Sequence, residues 1–304
     1  MAIQREIWQD HIEGNLFKNN EFLLASTDAG QYVLQGRVVH IPQAGAQPNI
    51  QKNRSSLPAT VVQRTDTDIT YSLDEYTTDP ILIPYAETIE LSYNKRESVL
   101  SEYQSSLRQT IADNILVSWS PAGATSMLRT TGGAVATHLA GTTGNRKLFT
   151  SKDLKAAQLQ LNKQNVPMEN RYALISADMF QQLTDDLSIT EYRDFSAAYN
   201  VKDGVLGRLF GFNIMMRSGV VTYTNDTTPV VNAYGASAAV TDNDAVLCWQ
   251  TDALERAVGN IKFFERIDDP SYYGNVYSIS VRMGGRLRRS DAKGVMAIIQ
   301  AASA

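Results

Sequence analysis

Residues 166–180 read Val166-Pro167-Met168-Glu169-Asn170-Arg171-Tyr172-Ala173-Leu174-Ile175-Ser176-Ala177-Asp178-Met179-Phe180, and residues 204–218 read Gly204-Val205-Leu206-Gly207-Arg208-Leu209-Phe210-Gly211-Phe212-Asn213-Ile214-Met215-Met216-Arg217-Ser218. Pro167 ends a preceding helix, because proline lacks the N–H and clashes with the turn before it. Tyr172-Ala173-Leu174-Ile175 is a short apolar run between polar residues and reads as a buried strand. Ser176 stands where an N-cap is expected, before a short helix carrying Met179, Phe180 and Leu183. The glycines punctuate a turn. Phe212-Asn213-Ile214-Met215-Met216 then reads as a second buried strand.

Working outward, the helix that Pro167 closes spans roughly 151–165. Thr150 and Asp153 sit at capping-box spacing, and Leu154, Ala157 and Leu161 share a face. Residues 124–146 are rich in glycine and threonine and read as loop. The strongest helix is 95–119, where Leu100, Tyr103, Leu107, Ile111 and Ile115 recur at three and four. Asn94 and Glu97 offer a cap, while Pro121 and Gly123 stop the helix. At about 1.5 Å per residue it is roughly 35 Å long. Ser101, Glu102, Gln104, Ser105, Arg108 and Gln109 make its other face wet or partner-facing.

Residues 1–40 scatter their apolar side chains (Ile7, Trp8, Ile12, Leu16, Phe17, Phe22, Leu23, Leu24) and read as an arm that must lie on its own body or a neighbour. Tyr32-Val33-Leu34 and Arg37–Pro42 are short strands. Residues 43–58 are a polar loop. Thr60–Arg64, Ile69–Leu73 and Ile81–Pro84 read as strands, with a turn at Thr65–Asp68, so 41–91 suggests a long β-hairpin excursion. A two-sided polar ribbon is marginal in water alone. Toward the C-terminus, Ala245–Trp249 is a buried strand. Asp252–Val258 reads as a short helix stopped by Gly259. Ile261–Ile267 and Asn275–Met283 are long strands joined by 268–274, and Val295–Ile299 is a final apolar strand. The class is α+β.

The chain has 304 residues, 43% hydrophobic and 20% charged, with a net charge of −4. That is a globular chain and not the basic profile of a sequence-reading DNA binder. The one cysteine, Cys248, lies in an apolar strand and excludes an intramolecular disulfide or a cysteine zinc cluster. No apolar run is long enough for a membrane span. Residues 1–8 lack a signal-peptide core, so folding is expected in a reducing cytoplasm.

Catalytic and ligand-binding patterns are weak. His11, His40 and His138 match no metal spacing. Ser176, His138 and Asp178 can be assembled into a Ser-His-Asp set, but Ser176 lacks the Gly-x-Ser-x-Gly elbow and capping accounts for it. Gly204, Gly207 and Gly211 do not match Gly-x-Gly-x-x-Gly and lead into a strand, so they read as backbone turns. There is no phosphate-binding Gly-Lys-Ser/Thr, and no cofactor or metal site is expected. Arg286-Leu287-Arg288-Arg289 with Lys293 is the densest basic cluster. It reads as a strand end or subunit contact, with a nucleic-acid patch as the alternative.

Taken in order, these features resemble the major capsid proteins of tailed bacteriophages, whose shell fold is shared with herpesviruses and encapsulins. The resemblance rests on the arm and the Val38-Val39-His40-Ile41-Pro42 strand opening a β-rich loop. It continues through the long spine helix, Asn165-Val166-Pro167 with Arg171-Tyr172, and Gly207-x-x-x-Gly211-Phe212-x-Ile214. It closes on the long strands at 261–283 and on Gly284-Gly285-Arg286-Leu287-Arg288-Arg289 before the last apolar strand.

The resemblance implies an N-terminal arm (1–40), an extended β-loop (41–94), a peripheral domain (95–124 with 259–289) and an axial domain (125–258 with 290–304). It implies a non-enzymatic protein that assembles with itself as pentamers and hexamers into an icosahedral shell around double-stranded DNA, held by weak non-specific contacts. Assembly in the host bacterial cytoplasm is expected, with a separate scaffolding protein, a portal and decoration proteins as partners and no membrane. The short arm is the reason for expecting separate scaffolding. An encapsulin-like compartment with enzyme cargo, and a soluble enzyme of unrelated fold, are the alternatives. In the family the extended loop lies over a neighbouring subunit, so Lys52 and Arg54 at its tip are expected to meet Asp268 and Asp269 across a boundary. Some relatives join a loop lysine covalently to a neighbour; Lys52 is the candidate, but no partner residues are placed for it and a non-covalent shell is expected.

Overall fold

The fold is taken from a computed structural model, which describes residues 20–303 apart from 35–36, 44–49, 51, 56–57, 59–60, 62, 64–66, 85–94 and 201–202. Along the chain come β1 (Thr27–Asp28), β2 (Val33–Leu34), β3 (Val38–Gln43), β4 (Thr67–Ser72), β5 (Asp74–Thr77) and β6 (Ile81–Pro84), then the long helix α1 (Lys95–Trp119). Next are β7 (Met127–Arg129), β8 (Ala134–Ala136), β9 (Asn145–Lys147), α2 (Ser151–Lys163), β10 (Arg171–Ser176), α3 (Ala177–Asp186) and α4 (Ile189–Ser196). The remainder is strand: β11 (Gly207–Leu209), β12 (Phe212–Arg217), β13 (Val221–Tyr223), β14 (Asn243–Gln250), β15 (Leu254–Asp269), β16 (Gly274–Leu287), β17 (Val295–Ile299) and β18 (Ala302–Ser303).

The central sheet runs β11-β12-β10-β14-β17-β7, with β13 also paired to β14. Its strands are apolar on both faces, and alternation divides them between two cores. Leu174, Leu247, Trp249, Val295, Ala297 and Ile299 face one side, where α1 supplies Leu107, Ile111, Ala112, Ile115, Leu116 and Trp119. Ala173, Ile175, Val246, Cys248, Met296 and Ile298 face the other, where α2 supplies Leu154, Ala157 and Leu161 and α3 supplies Met179 and Leu183. Residues 171–217 set the middle of this sheet, because β10 and β12 lie side by side in parallel, Arg171 against Phe212 through Ser176 against Arg217.

Its local chemistry is visible too. The Thr150 N–H donates to Asp153 Oδ2 at 2.9 Å, one half of the expected capping box. At the far end of α2, Asn165 takes a left-handed φ of 55° ahead of Pro167, a conformation that asparagine tolerates at a helix C-terminus. Arg171 is 1% exposed. It donates from Nε to the Pro167 carbonyl at 2.8 Å and from Nη2 to the Val166 carbonyl at 2.7 Å. Its guanidinium therefore ties the helix exit to the start of β10.

A second sheet is built on the long β15–β16 hairpin, flanked by β1 on one side and by β5 and β6 on the other. The arm segment around β1 lies on its own body. Phe22 meets Trp119 edge-on at 6.1 Å. The Trp249 indole donates to the Ala25 carbonyl at 2.8 Å, and Arg256 Nη1 donates to the Leu23 and Ser26 carbonyls at 3.0 and 2.7 Å. β3 pairs antiparallel with β4, Val38 opposite Ser72 through Gln43 opposite Thr67. Thr67 and Asp68, expected in a turn, are therefore strand, because the ladder with Pro42 and Gln43 extends β4 past its β-branched run.

Several expectations need correction. Residues 252–258 are not a helix; after a 3-10 turn at Thr251–Ala253 they form the start of β15. Leucine, glutamate, arginine and alanine favour helix locally, but Leu254–Val258 pairs residue by residue with Met283–Leu287, and a tertiary ladder overrides local propensity. Gly259 is no helix stop. It lies at the register shift between Val258 and Ile261, the bulge position that a glycine inside a strand often marks. The glycine-rich stretch 124–146 is not all loop; it contains β7, β8 and β9. Gln104, placed on the wet face of α1, is buried. Val61 and Gln63 lie outside any strand, and the rest of the expected strand at 60–64 falls outside the described residues. So do Asn94 and the side chain of Glu97, the expected cap of α1. The three glycines do different things: Gly204 and Gly211 turn the chain with φ of 66° and 80°. Gly207 instead sits against Phe195, where an added Cβ would come within 2.5 Å of its ring and carbonyl.

Candidate functional site

Of the residues expected to join subunits, Lys52, Arg54 and Asp268 are exposed and Asp269 is buried. Between Lys52 and Arg54, the exposed Asn53 turns the chain with φ of 53°. At the tip of the β15–β16 hairpin the two aspartates differ. Asp268 is exposed, with φ of 54°. Asp269 is 2% exposed. Its carboxylate pairs with Arg266 at 3.1 Å and accepts from the Ser271 N–H at 2.9 Å. It therefore shapes the turn, and Asp268 is the outward carboxylate of the two. Among the described residues no ion pair joins Lys52 or Arg54 to either aspartate within one chain. Sequence reading missed the hairpin's aromatic end, where Tyr272 is 58% and Tyr273 81% exposed.

The basic run at the end of β16 is paired within the chain. Arg288 meets Glu255 at 3.2 Å, Arg289 meets Asp291 at 2.8 Å, and Arg286 donates to the Thr70 carbonyl at 3.3 Å. Burial pushes the Glu255 carboxyl above its usual range, with Arg288 and Arg286 opposing. The Arg289 guanidinium holds Asp291 down at about 2. Each of these arginines has a partner within the chain, while Arg288 and Arg289 keep 46% and 52% of their side chains exposed.

Ser176 and His138 come together, but not around Asp178. The Ser176 hydroxyl donates to Asp244 Oδ2 at 2.5 Å, and His138 Nε2 lies 2.9 Å from the same oxygen. Ser176 holds the N-cap position of α3, yet its side chain makes no capping bond there; the hydroxyl goes to Asp244. A nucleophilic serine needs the imidazole as its base. Here the carboxylate stands between serine and histidine, so no nucleophile–base contact forms. The trio lines a cleft of about 690 Å³ that also contains Asp113, Asp178 and Arg217. Asp244 was not singled out from sequence, although an acid opening the apolar run at 245–249 is a usable signal for a buried polar anchor. Among the described residues no group of three or more His, Cys, Asp or Glu side chains is arranged to hold a metal.

A family model for phage capsid proteins matches residues 34–301. The chain belongs to the phage capsid protein family. No curated protein sequence matches it. Solved capsids share the fold of this capsid protein. The capsid of Cyanophage P-SCSP1u aligns with TM-score 0.64 at 17% identity, over 92% of this chain and 87% of that one. The capsid of Ralstonia phage GP4 aligns with TM-score 0.63 at 13% identity, over 92% and 88%. The capsid of a native GTA particle aligns with TM-score 0.59 at 10% identity, over 92% and 89%. This is a structural major capsid protein of the tailed-phage type, not an enzyme, and its place is in the virion.

Proposed function

We propose that this capsid protein assembles as pentamers and hexamers into an icosahedral shell enclosing double-stranded DNA. The observation that supports this most directly is the match of a phage capsid family model to residues 34–301, together with a closed, two-faced core and an exposed aromatic end, Tyr272 and Tyr273, on the β15–β16 hairpin. Weak non-specific contacts with the genome fit the net charge of −4 and an Arg286–Arg289 run already occupied by carboxylates and a carbonyl.

In this reading the arm is 1–40, the extended loop 41–94, the peripheral domain 95–124 with 259–289, and the axial domain 125–258 with 290–304. The pairing of β5 and β6 with β16 gives the loop's return a firm seat on the peripheral sheet. Lys52 and Arg54 then reach Asp268 of a neighbour. Assembly takes place in the bacterial cytoplasm, with a separate scaffolding protein, a portal and decoration proteins as partners. The encapsulin-like alternative is not favoured by the family match, which is to phage capsid proteins. Co-expression with the phage's scaffolding protein, followed by light scattering and negative-stain microscopy, tests the reading. Closed particles or tubes are expected, and monomers under all salt and scaffold conditions contradict it.

A further inference from the structure

We propose that His138 is a proton-operated clasp, which in its charged form fastens the 136–145 turn and the C-terminal strand to the buried start of β14. The geometry begins with Asp244, whose side chain is 3% exposed while that of His138 is 15% exposed. Asp244 Oδ1 accepts from the Ala245 N–H at 2.8 Å, and Oδ2 accepts from both Ser176 and His138. A carboxylate this deep needs a compensating charge or full hydrogen bonding. Ala245 and Ser176 supply two of its hydrogen bonds. His138 supplies the third and, when protonated, the compensating charge, although its buried Nδ1 finds no partner among the described residues.

The charged neighbours are shared out as follows. Asp178 approaches from α3, and its charge favours the protonated ring together with that of Asp244. From β12, Arg217 is engaged by Asp113 of α1, and Arg108 of α1 also lines the cleft. From the turn's own strand, Arg146 spends its guanidinium on the carbonyls of Thr143, Asn145, Val240 and Asp242. Asp242 is occupied by Asn232 and the Ala239 N–H. Thr137, Leu139, Ala140, Gly141, Thr142 and Thr143 carry no titratable side chain. His138 is therefore the one member of the turn that titrates near neutral pH.

The turn is also a structural junction. β9 pairs with β8 on one side and with β18 on the other, Arg146 opposite Ala302 and Asn145 opposite Ser303. The hydrogen bond that His138 donates to Asp244 lifts the imidazole above its ordinary range, burial opposing it and the aspartate charges adding to it. A folded value above the open-turn value gives one sign. The fastening is complete below the open-turn pKa and is lost as pH rises through the clasped one. A neutral ring can still donate from Nε2, but without the charge assistance that makes such bonds strong.

The clasp lies within one subunit, so its test needs no assembly. In the full-length protein, the His138 ring is titrated by NMR, assigned with His138→Gln. Hydrogen exchange of residues 137–145 is followed from about pH 5 to about pH 9 and corrected for intrinsic rates. His138 is expected to titrate above ordinary imidazole. Protection of the turn should fall by about tenfold for each pH unit separating the clasped and open values. In His138→Gln the corrected protection should be flat with pH, and Asp244→Asn should return the histidine to its ordinary range. The clasp is overturned if His138 titrates at or below that range. It is equally overturned if wild type and His138→Gln show the same pH dependence. These two outcomes decide the matter even where Asp244→Asn fails to fold.

Discussion

Arg171 shows how one side chain joins sequence to fold. It is buried without a carboxylate partner among the described residues, and it spends its charge on the Pro167 and Val166 carbonyls. Those carbonyls lie just beyond the C-cap of α2, and the fork gives each a charged donor, which makes the bonds stronger than neutral ones. Lysine offers no planar fork. Arg171→Lys should therefore lower stability by about 1.5–3 kcal/mol, the range for hydrogen bonds to charged groups. Urea unfolding measures this; a loss under about 0.5 kcal/mol, typical of a neutral surface change, would count against the clamp. The residue scale was only partly legible in the sequence. Cys248, Leu154, Ala157 and Leu161 are buried as expected, because their spacing carries the signal. Ser176 occupies the expected position but turns its hydroxyl to Asp244, 68 residues away. No local pattern encodes that contact, just as none distinguishes the buried Asp269 from its exposed neighbour Asp268.

At the scale of elements, legibility follows the range of the interactions. The helices α1 and α2 and the strands β10, β12, β14 and β17 are apolar and periodic enough to be read directly. The Ser188/Glu191 capping box of α4, with Ser188 N–H to Glu191 Oε2 at 3.0 Å, was present as a sequence signal and was overlooked. By contrast, β7 exists because it lies parallel to β17, Met127 against Ala297, and three residues of strand have no signature of their own. The extended loop is the element whose behaviour should change most. Residues 43–58 are polar and carry a glycine and two prolines, so limited proteolysis of the free subunit should cut there first. In particles the same segment should be protected; equal cutting in both states would argue that it makes no intersubunit contact. The charge contact is tested with Lys52→Glu and Arg54→Glu, followed by addition of Asp268→Lys. Asp269 is left intact because it builds the turn. Exposed pairs are worth roughly 0–1 kcal/mol each and weaken with salt, but the proposed contact would repeat around every capsomer. Assembly at low salt should fail in the double variant and recover in the triple one. Normal assembly of the double variant would show that backbone and apolar contacts hold the loop.

For the whole molecule, two cores on opposite faces of one sheet give the chain a rigid body. In the proposed reading the extended loop and the β15–β16 hairpin supply the contacts between copies. The only cysteine is buried in β14, and burial drives its thiol far above the usual range, so it is not poised to cross-link. Boiled particles should accordingly run on a denaturing gel as a single band near 33.6 kDa. A ladder of multimers would reveal covalent joints and would direct attention to Lys52. Whether this chain builds a shell is decided by electron microscopy of the protein expressed with its scaffolding partner. Closed icosahedral particles are expected, in which each copy's 41–94 loop lies over a neighbouring subunit; a population that stays monomeric under every salt and scaffold condition would overturn that reading.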